Sequence, residues 1–362
     1  MISYWLLFFI SAFQSVSKLR SVQSPFSVQR LQVEWRGVFF LITLMIGLRH
    51  QVGGDWANYL GNINLIADLT LSETLTASRG DPADGLIKWI ASQAGFGIYL
   101  VNTVYAILFS WGLMVFCRIQ PRPWLALTVA VPYLIIVVAM GYSRQGVAIG
   151  LAMLGLAALD SRGVFKFVLW VALAAMFHKS AIILIPLAVV AVAGTRHRLL
   201  TLIWVGLAAV MLYGLLLMEY LDSLVSGYIG DKYESSGAAI RIAMNALPSA
   251  LFLIFRRRFQ LAPAQRNFWS WMAFASLAFV PLLLVSPSST AVDRVALYWI
   301  PLQMFVWSRI PDAMGSPGVS TFGWVYAVVA YSAIVQFVWL FFATHSIYWL
   351  PYQFYPWVWL WQ

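Results

Sequence analysis

Five cationic side chains of this sequence stand where cations are costly. Arg49, Arg144, Lys179, Arg241 and Arg294 each lie at the outer end of an apolar run, and His178 precedes Lys179. Guanidinium forks match phosphate oxygens two at a time, and an ammonium adds a point charge, so the set suits an anion with several oxygens. The densest polar stretch is Arg49-His50-Gln51-Val52-Gly53-Gly54-Asp55-Trp56-Ala57-Asn58-Tyr59. Asp55 and His178 are the two candidate bases for a hydroxyl group. Asp55 has bland alternatives as a partner of Arg49 or as the N-cap of the following helix. Arg294 has one as a partner of Asp293. Tyr59 and Tyr142 suit an interfacial position first and sugar stacking second. Arg49, Arg144 and Lys179 have the bland alternative of anchors reaching for the interface.

The elements that must position these groups are membrane helices. Of the 362 residues, 62% are hydrophobic and 10% charged, against ~25% charged in an ordinary globular domain. The reading is an all-α, polytopic bundle of about twelve transmembrane helices in one domain, 1–362. The candidate spans are 2–16, 36–48, 97–117, 124–141, 145–159, 164–177, 180–194, 199–218, 241–255, 268–285, 292–308 and 320–343. The first is read as a retained helix, since no positive region precedes it. With residues between spans one and two placed on the cytoplasmic side, fifteen of the 23 cations fall on inner segments. Only three of the 13 acids do. That asymmetry puts both termini on the outer, periplasmic side of a bacterial inner membrane. Several runs that end in an outer cation are short. Gly37–Leu48, for instance, reaches ~18 Å at 1.5 Å per residue, well short of a ~30 Å hydrocarbon core. Some outer cations therefore sit below the interface, where an ionisable group is by default functional.

Two outer segments are long, 49–96 and 219–240. The first reads as surface, with Arg79 and Lys88 solvated among acids and a helix capped by Asp84 that carries Leu86, Ile87, Trp89 and Ile90 on one side. The second, with Lys232, reads as a loop over the site. The aromatic segment Tyr348–Trp361 reads as an interfacial belt first and a sugar platform second. The net charge of +10 belongs to inner loops rather than to nucleic acid. No phosphate-binding loop, dinucleotide fingerprint or paired cysteine is present, Cys117 being the only one, so no cofactor is expected. The cationic cluster, with few carboxylates near it, fits a polyprenyl diphosphate carrying sugars, its tail left in the bilayer. A cationic cradle of this kind also stabilises a departing diphosphate.

The chain resembles the EpsG-like branch of the Wzy-type polysaccharide polymerases. The matching pieces are Arg49–Asp55 with Tyr59, Ser143-Arg144-Gln145-Gly146-Val147-Ala148, Phe177-His178-Lys179-Ser180-Ala181, Arg294 with Tyr298, and Pro351-Tyr352. Gly54 and Trp56 depart from the family pattern, which often has a small hydroxyl residue before the aspartate and a tyrosine after it. The resemblance implies a GT-C-like membrane glycosyltransferase that joins undecaprenyl-diphosphate-linked oligosaccharide repeats at the outer face. It needs no metal, and a chain-length regulator is a partner left open. It implies diphosphate binding by Arg49, Arg144, Lys179 and Arg294, sugar contacts from Tyr59, Tyr142 and Tyr298, and catalysis by Asp55 or His178. The other readings are a flippase or exporter of the same lipid-linked sugars, or a ligase that moves the finished glycan.

Overall fold

A computed structural model describes residues 1–18, 33–78, 81–160, 163–192, 237–315 and 319–360, with isolated positions between 203 and 235. Most of the expected span 199–218, most of the loop 219–240, Arg79 and Lys232 lie outside the described residues. So do the inner cations Arg20, Arg30, Arg162, Arg196 and Arg198.

Helices account for nearly all of the described chain, because long apolar runs can satisfy their backbone in lipid only internally. They are α1 (Ile2–Ser17), α2 (Val33–Gly47), α3 (Trp56–Leu65), α4 (Leu71–Ala77), α5 (Pro82–Gln93), α6 (Gly97–Arg118) and α7 (Pro123–Ala130). A wide-turned π-helix, Val131–Ala139, continues α7. Then come α8 (Ser143–Asp160), α9 (Val164–Phe177), a 3₁₀ turn (Lys179–Leu184) and α10 (Ile185–Val192). Beyond residue 237 come α11 (Ala238–Phe255), α12 (Pro263–Val285), α13 (Ser289–Ala296), α14 (Ile300–Trp307), α15 (Ile310–Met314), α16 (Val319–Phe342) and α17 (Tyr355–Leu360). Four described stretches are long and apolar enough to cross a membrane: α6, α11, α12 and 321–342. The stretches 2–17, 123–139, 143–159, 164–177 and 179–191 are apolar but shorter, so the count of twelve spans is not established.

The long helices run up and down between two chemically different ends. One end gathers Lys18 with Glu34, Arg122 with Asp312 at 2.7 Å, and Arg309 with Gln120. The opposite end holds the residues singled out for chemistry. Between them, α6 and α8 cross so closely that a Cβ on Gly112 would collide with the backbone of Gly150. This is the small-residue contact that lets membrane helices pack without a hydrophobic driving force.

Two expectations about outer segments change. The capping position of the helix in segment 49–96 is Asp81, not Asp84. That helix, α5, also turns its polar side inward: Asp81, Asp84 and Lys88 are buried while Leu86 and Ile90 are exposed. Lys88 is therefore not solvated surface; it bonds Asp84 at 2.7 Å. An apolar face turned outward suits contact with lipid. The aromatic segment after α16 is also more than a belt. Its backbone pairs with the turn after α2: His50 N donates to Gln353 O at 3.0 Å, Gly53 N to Tyr348 O at 2.8 Å, and Tyr355 N to Leu48 O at 2.8 Å. Trp349 is 2% exposed and donates its indole N–H to Ile136 O at 2.7 Å. The outer rings Tyr348, Trp357 and Trp359 remain exposed.

Candidate functional site

The turn after α2 is built around Arg49. Its side chain is 1% exposed. Nη1 donates to Ile46 O at 2.5 Å, Nε to Val52 O at 3.2 Å, and Nη2 to Ser143 Oγ at 2.7 Å. The guanidinium thus satisfies a carbonyl of the last turn of α2 and ties that turn to the start of α8. Burial lowers its pKa to about 10, which still leaves it charged at neutral pH. Gly53 then bends the chain with φ +105, a conformation any Cβ would oppose, and here also in collision with Met140 O. The bend delivers Asp55 to the start of α3. Asp55 occupies the cap position but makes no side-chain cap bond, and no ion pair joins it to Arg49 among the described residues. Asp55 is thus the N-cap residue of α3 by position, without a cap bond, and among the described residues it is not the ion-pair partner of Arg49.

Asp55 instead faces cations from elsewhere. Burial raises its pKa, and Arg294 and then Arg144 pull it back. Arg144 is the second residue of α8. Nη1 bonds Asp81 at 2.7 Å and lies 3.9 Å from Asp84, while Nε is buried with no partner. Arg294 lies in the last turn of α13, a short helix capped by the Ser288 hydroxyl. Its guanidinium lies 4.3 Å from the Tyr142 ring centre and has no hydrogen-bond partner among the described residues. It is not spent on its neighbour, because Asp293 is taken by Arg241 through bonds of 2.6 and 2.7 Å. Gln145 Nε2 donates to Arg294 O at 2.5 Å and fixes α8 to α13, while Gln145 Oε1 stays unpartnered.

The third contribution is a break in a helix. At His178 the backbone turns extended, with φ −154 and ψ 103, and α9 gives way to the 3₁₀ turn. The break points the Lys179 N–H at Asp81 Oδ1, at 3.1 Å. The Lys179 side chain is buried, with its charge felt by both Asp81 and His178. His178 Nδ1 shares a 2.7 Å bond with Ser180 Oγ, which donates onward to Tyr298 Oη at 3.1 Å. Burial first, then Arg144, Arg294 and Lys179, push His178 down to about 3. It is a neutral imidazole at any physiological pH, suited to hydrogen bonding. A carboxylate whose pKa burial raises, such as Asp55, is the better matched base.

The structure thus brings Asp55, Tyr59, Tyr142, Arg144, His178, Lys179, Arg294 and Tyr298 to one end of the bundle. Arg49 differs from them in its bonding: its guanidinium is 1% exposed and donates to three internal acceptors. The expectation of few carboxylates nearby is overturned. Asp81 and Asp84, 5% and 2% exposed, lie directly under Arg144, and Asp84 also receives the Tyr105 hydroxyl. The sequence signal for them is Asp81, Asp84, Lys88 and Ala91 on one side of a helix whose other side is apolar. Among the described residues no three His, Cys, Asp or Glu side chains gather as a metal would need.

A family model described as the EpsG family matches residues 35–354, most of the chain. The chain belongs to the EpsG family. EpsG proteins are Wzy-like polysaccharide polymerases, and every residue of the cluster lies within the matched range. Searches of curated proteins and of solved structures each return no match. Membership of the EpsG family therefore supplies the class of activity in general.

Proposed function

We propose that the cluster is the catalytic site of a polymerase acting on polyprenyl-diphosphate-linked oligosaccharides at the outer face of the cytoplasmic membrane. The observation that carries this reading is the pairing of two unspent groups. Arg294 and Asp55 both lack hydrogen-bond partners among the described residues, beside an Arg144 with a buried, unpartnered Nε. An unmatched buried donor is costly and is readily explained by a ligand oxygen. Arg144 and Arg294, with Lys179 behind them, bind the diphosphate. Asp55 accepts the proton of an acceptor hydroxyl. The hydroxyl oxygen bonds to the anomeric carbon as the bond from that carbon to phosphate breaks. The polyprenyl diphosphate leaves with the electron pair, and the arginines stabilise the charge it gains. His178, neutral and held by Ser180, offers hydrogen bonds to sugar, and Tyr142 and Tyr59 flank it. Arg49 keeps the turn that presents Asp55. Undecaprenyl is the chain expected for a bacterial envelope.

The test is lengthening of a lipid-linked oligosaccharide by purified protein in detergent. Wild-type protein makes ladders without a bilayer, while Arg294→Ala and Asp55→Asn lose at least about a hundredfold in rate, the range of a positioned acid–base or electrostatic group. Transport of lipid-linked sugar across vesicles with no lengthening in detergent would make the protein an exporter and sink this reading.

A further inference from the structure

Asp81 is the carboxylate on which the cations of the site converge. Its two oxygens serve different parts of the fold: Oδ2 takes Arg144 Nη1 at 2.7 Å, and Oδ1 takes the Lys179 backbone N–H at 3.1 Å. Those partners are 63 and 98 residues away in sequence and sit on the start of α8 and on the break after α9. Asp84, one turn further along α5, is committed to Lys88 and Tyr105 and only flanks Arg144, at 3.9 Å. Asp81 is therefore unlike Asp55. Each of its oxygens already accepts a bond and the residue is 5% exposed, so it is held inside the fold rather than presented to a reacting hydroxyl.

We infer that Asp81 is a positioning residue: it holds the Arg144 guanidinium and the Lys179 turn in one frame, so that affinity for the donor diphosphate depends on a carboxylate that does not touch the substrate. This inference rests on the reading of the site as a diphosphate cradle. A guanidinium held by one edge presents its other edge in a fixed direction, and a fork so fixed loses less freedom when it meets a second anion. A buried cation pair with no counter-charge would also resist coming together. Asp81 supplies that counter-charge on the side away from the ligand.

The experiment measures binding of unsubstituted polyprenyl diphosphate, which carries no sugar and cannot react, to the full chain in lipid nanodiscs. It compares wild type, Asp81→Asn, Asp81→Glu and Arg144→Ala, and records the unfolding midpoint of each without ligand. The expected result is roughly 10–100-fold weaker binding by Asp81→Asn, the scale of one charge-assisted contact. Asp81→Glu recovers part of the affinity, and ligand-free midpoints stay within a few degrees of wild type. In turnover, KM rises by a similar factor while kcat changes by less. Wild-type affinity in Asp81→Asn alongside weak binding by Arg144→Ala overturns the positioning role and leaves the cradle standing. Wild-type affinity in Arg144→Ala overturns the cradle itself, whatever Asp81 does. A collapse of the ligand-free midpoint in both Asp81 variants, with no recovery by Glu, makes Asp81 a structural brace only.

Discussion

Replacing Arg49 and Arg294 by alanine should give two opposite phenotypes, although sequence alone places the two arginines in one class. Arg49→Ala strips three buried acceptors of their donor: Ile46 O, Val52 O and Ser143 Oγ. Each stranded group costs roughly 1–3 kcal/mol. The sum is moderated because the variant no longer buries a charge. The expected loss is on the order of 4 kcal/mol, a large share of a typical stability of ~5–15 kcal/mol. Arg294→Ala forfeits a single ring contact at 4.3 Å, about 0.5–1 kcal/mol for a cation that keeps some exposure. The assay is thermal unfolding of detergent-purified protein, read beside polymer synthesis normalised to folded protein. Arg49→Ala should melt several degrees below wild type, at roughly 2 °C per kcal/mol for a chain of this size, with poor yield of folded protein. Arg294→Ala should melt near wild type and make no polymer. Arg49→Lys should fall between, since one ammonium cannot meet three acceptors in that geometry. An Arg49→Ala protein that melts with wild type yet fails to bind polyprenyl diphosphate would refute the structural role and return Arg49 to the ligand.

Other parts of the fold carry expected outcomes of their own. Burial raises the Asp81 carboxyl to about 6 against the pull of Arg144, with Asp84 adding to the rise and the Lys179 N–H and ammonium opposing it. Asp81 is ionised above that pH and neutral below it, so donor affinity should fall as pH drops through about 6. Affinity titrations on either side of that pH should show the limb in wild type and not in Asp81→Asn. His178 stays neutral throughout the range and cannot be its source. Trp349→Phe keeps a ring beside Gly141 but loses the indole bond to Ile136 O, and should lower the unfolding midpoint by the equivalent of about 1–2 kcal/mol. Gly112→Leu should abolish monodisperse protein, because α6 and α8 cannot separate by a side chain without losing their contact. Gly37→Leu, at a position with nothing within 4 Å, should be tolerated in the same gel-filtration assay.

Much of this site is legible in the sequence because its residues announce themselves against an apolar background. Arg144, Lys179, Arg294 and Asp55 stand out by charge next to short apolar runs, and the structure brings them together. Most of the long helices among the described residues are legible for the same reason, whereas α4, inside the segment read as surface, is not. The helix expected at 292–308 is broken by a 3₁₀ turn at Leu297–Trp299, and that break leaves Arg294 in the last turn of a short helix at the site. Asp81, Asp84 and Lys88 mislead because an amphipathic pattern shows which side differs and not which solvent each side meets. In water the polar side of α5 would face out; beside lipid it faces in. The role of Arg49 is hidden for another reason: its acceptors include backbone carbonyls, to which composition gives no clue. The pairing of residues 48–53 with 348–355 joins segments about 300 residues apart, and no local pattern encodes it.

That pairing has a consequence for how the protein is made. The segment that clasps the Arg49 turn leaves the ribosome about 300 residues after the turn itself. At ~5–20 residues per second, the nascent chain spends about 15–60 s in the membrane with Leu48 O, the His50 N–H and the Gly53 N–H awaiting partners. Asp55 acquires its final setting only when that late segment arrives. The end of the bundle that holds Asp55 is thus assembled last, and a chain interrupted before residue 348 would insert its helices and still lack this clasp.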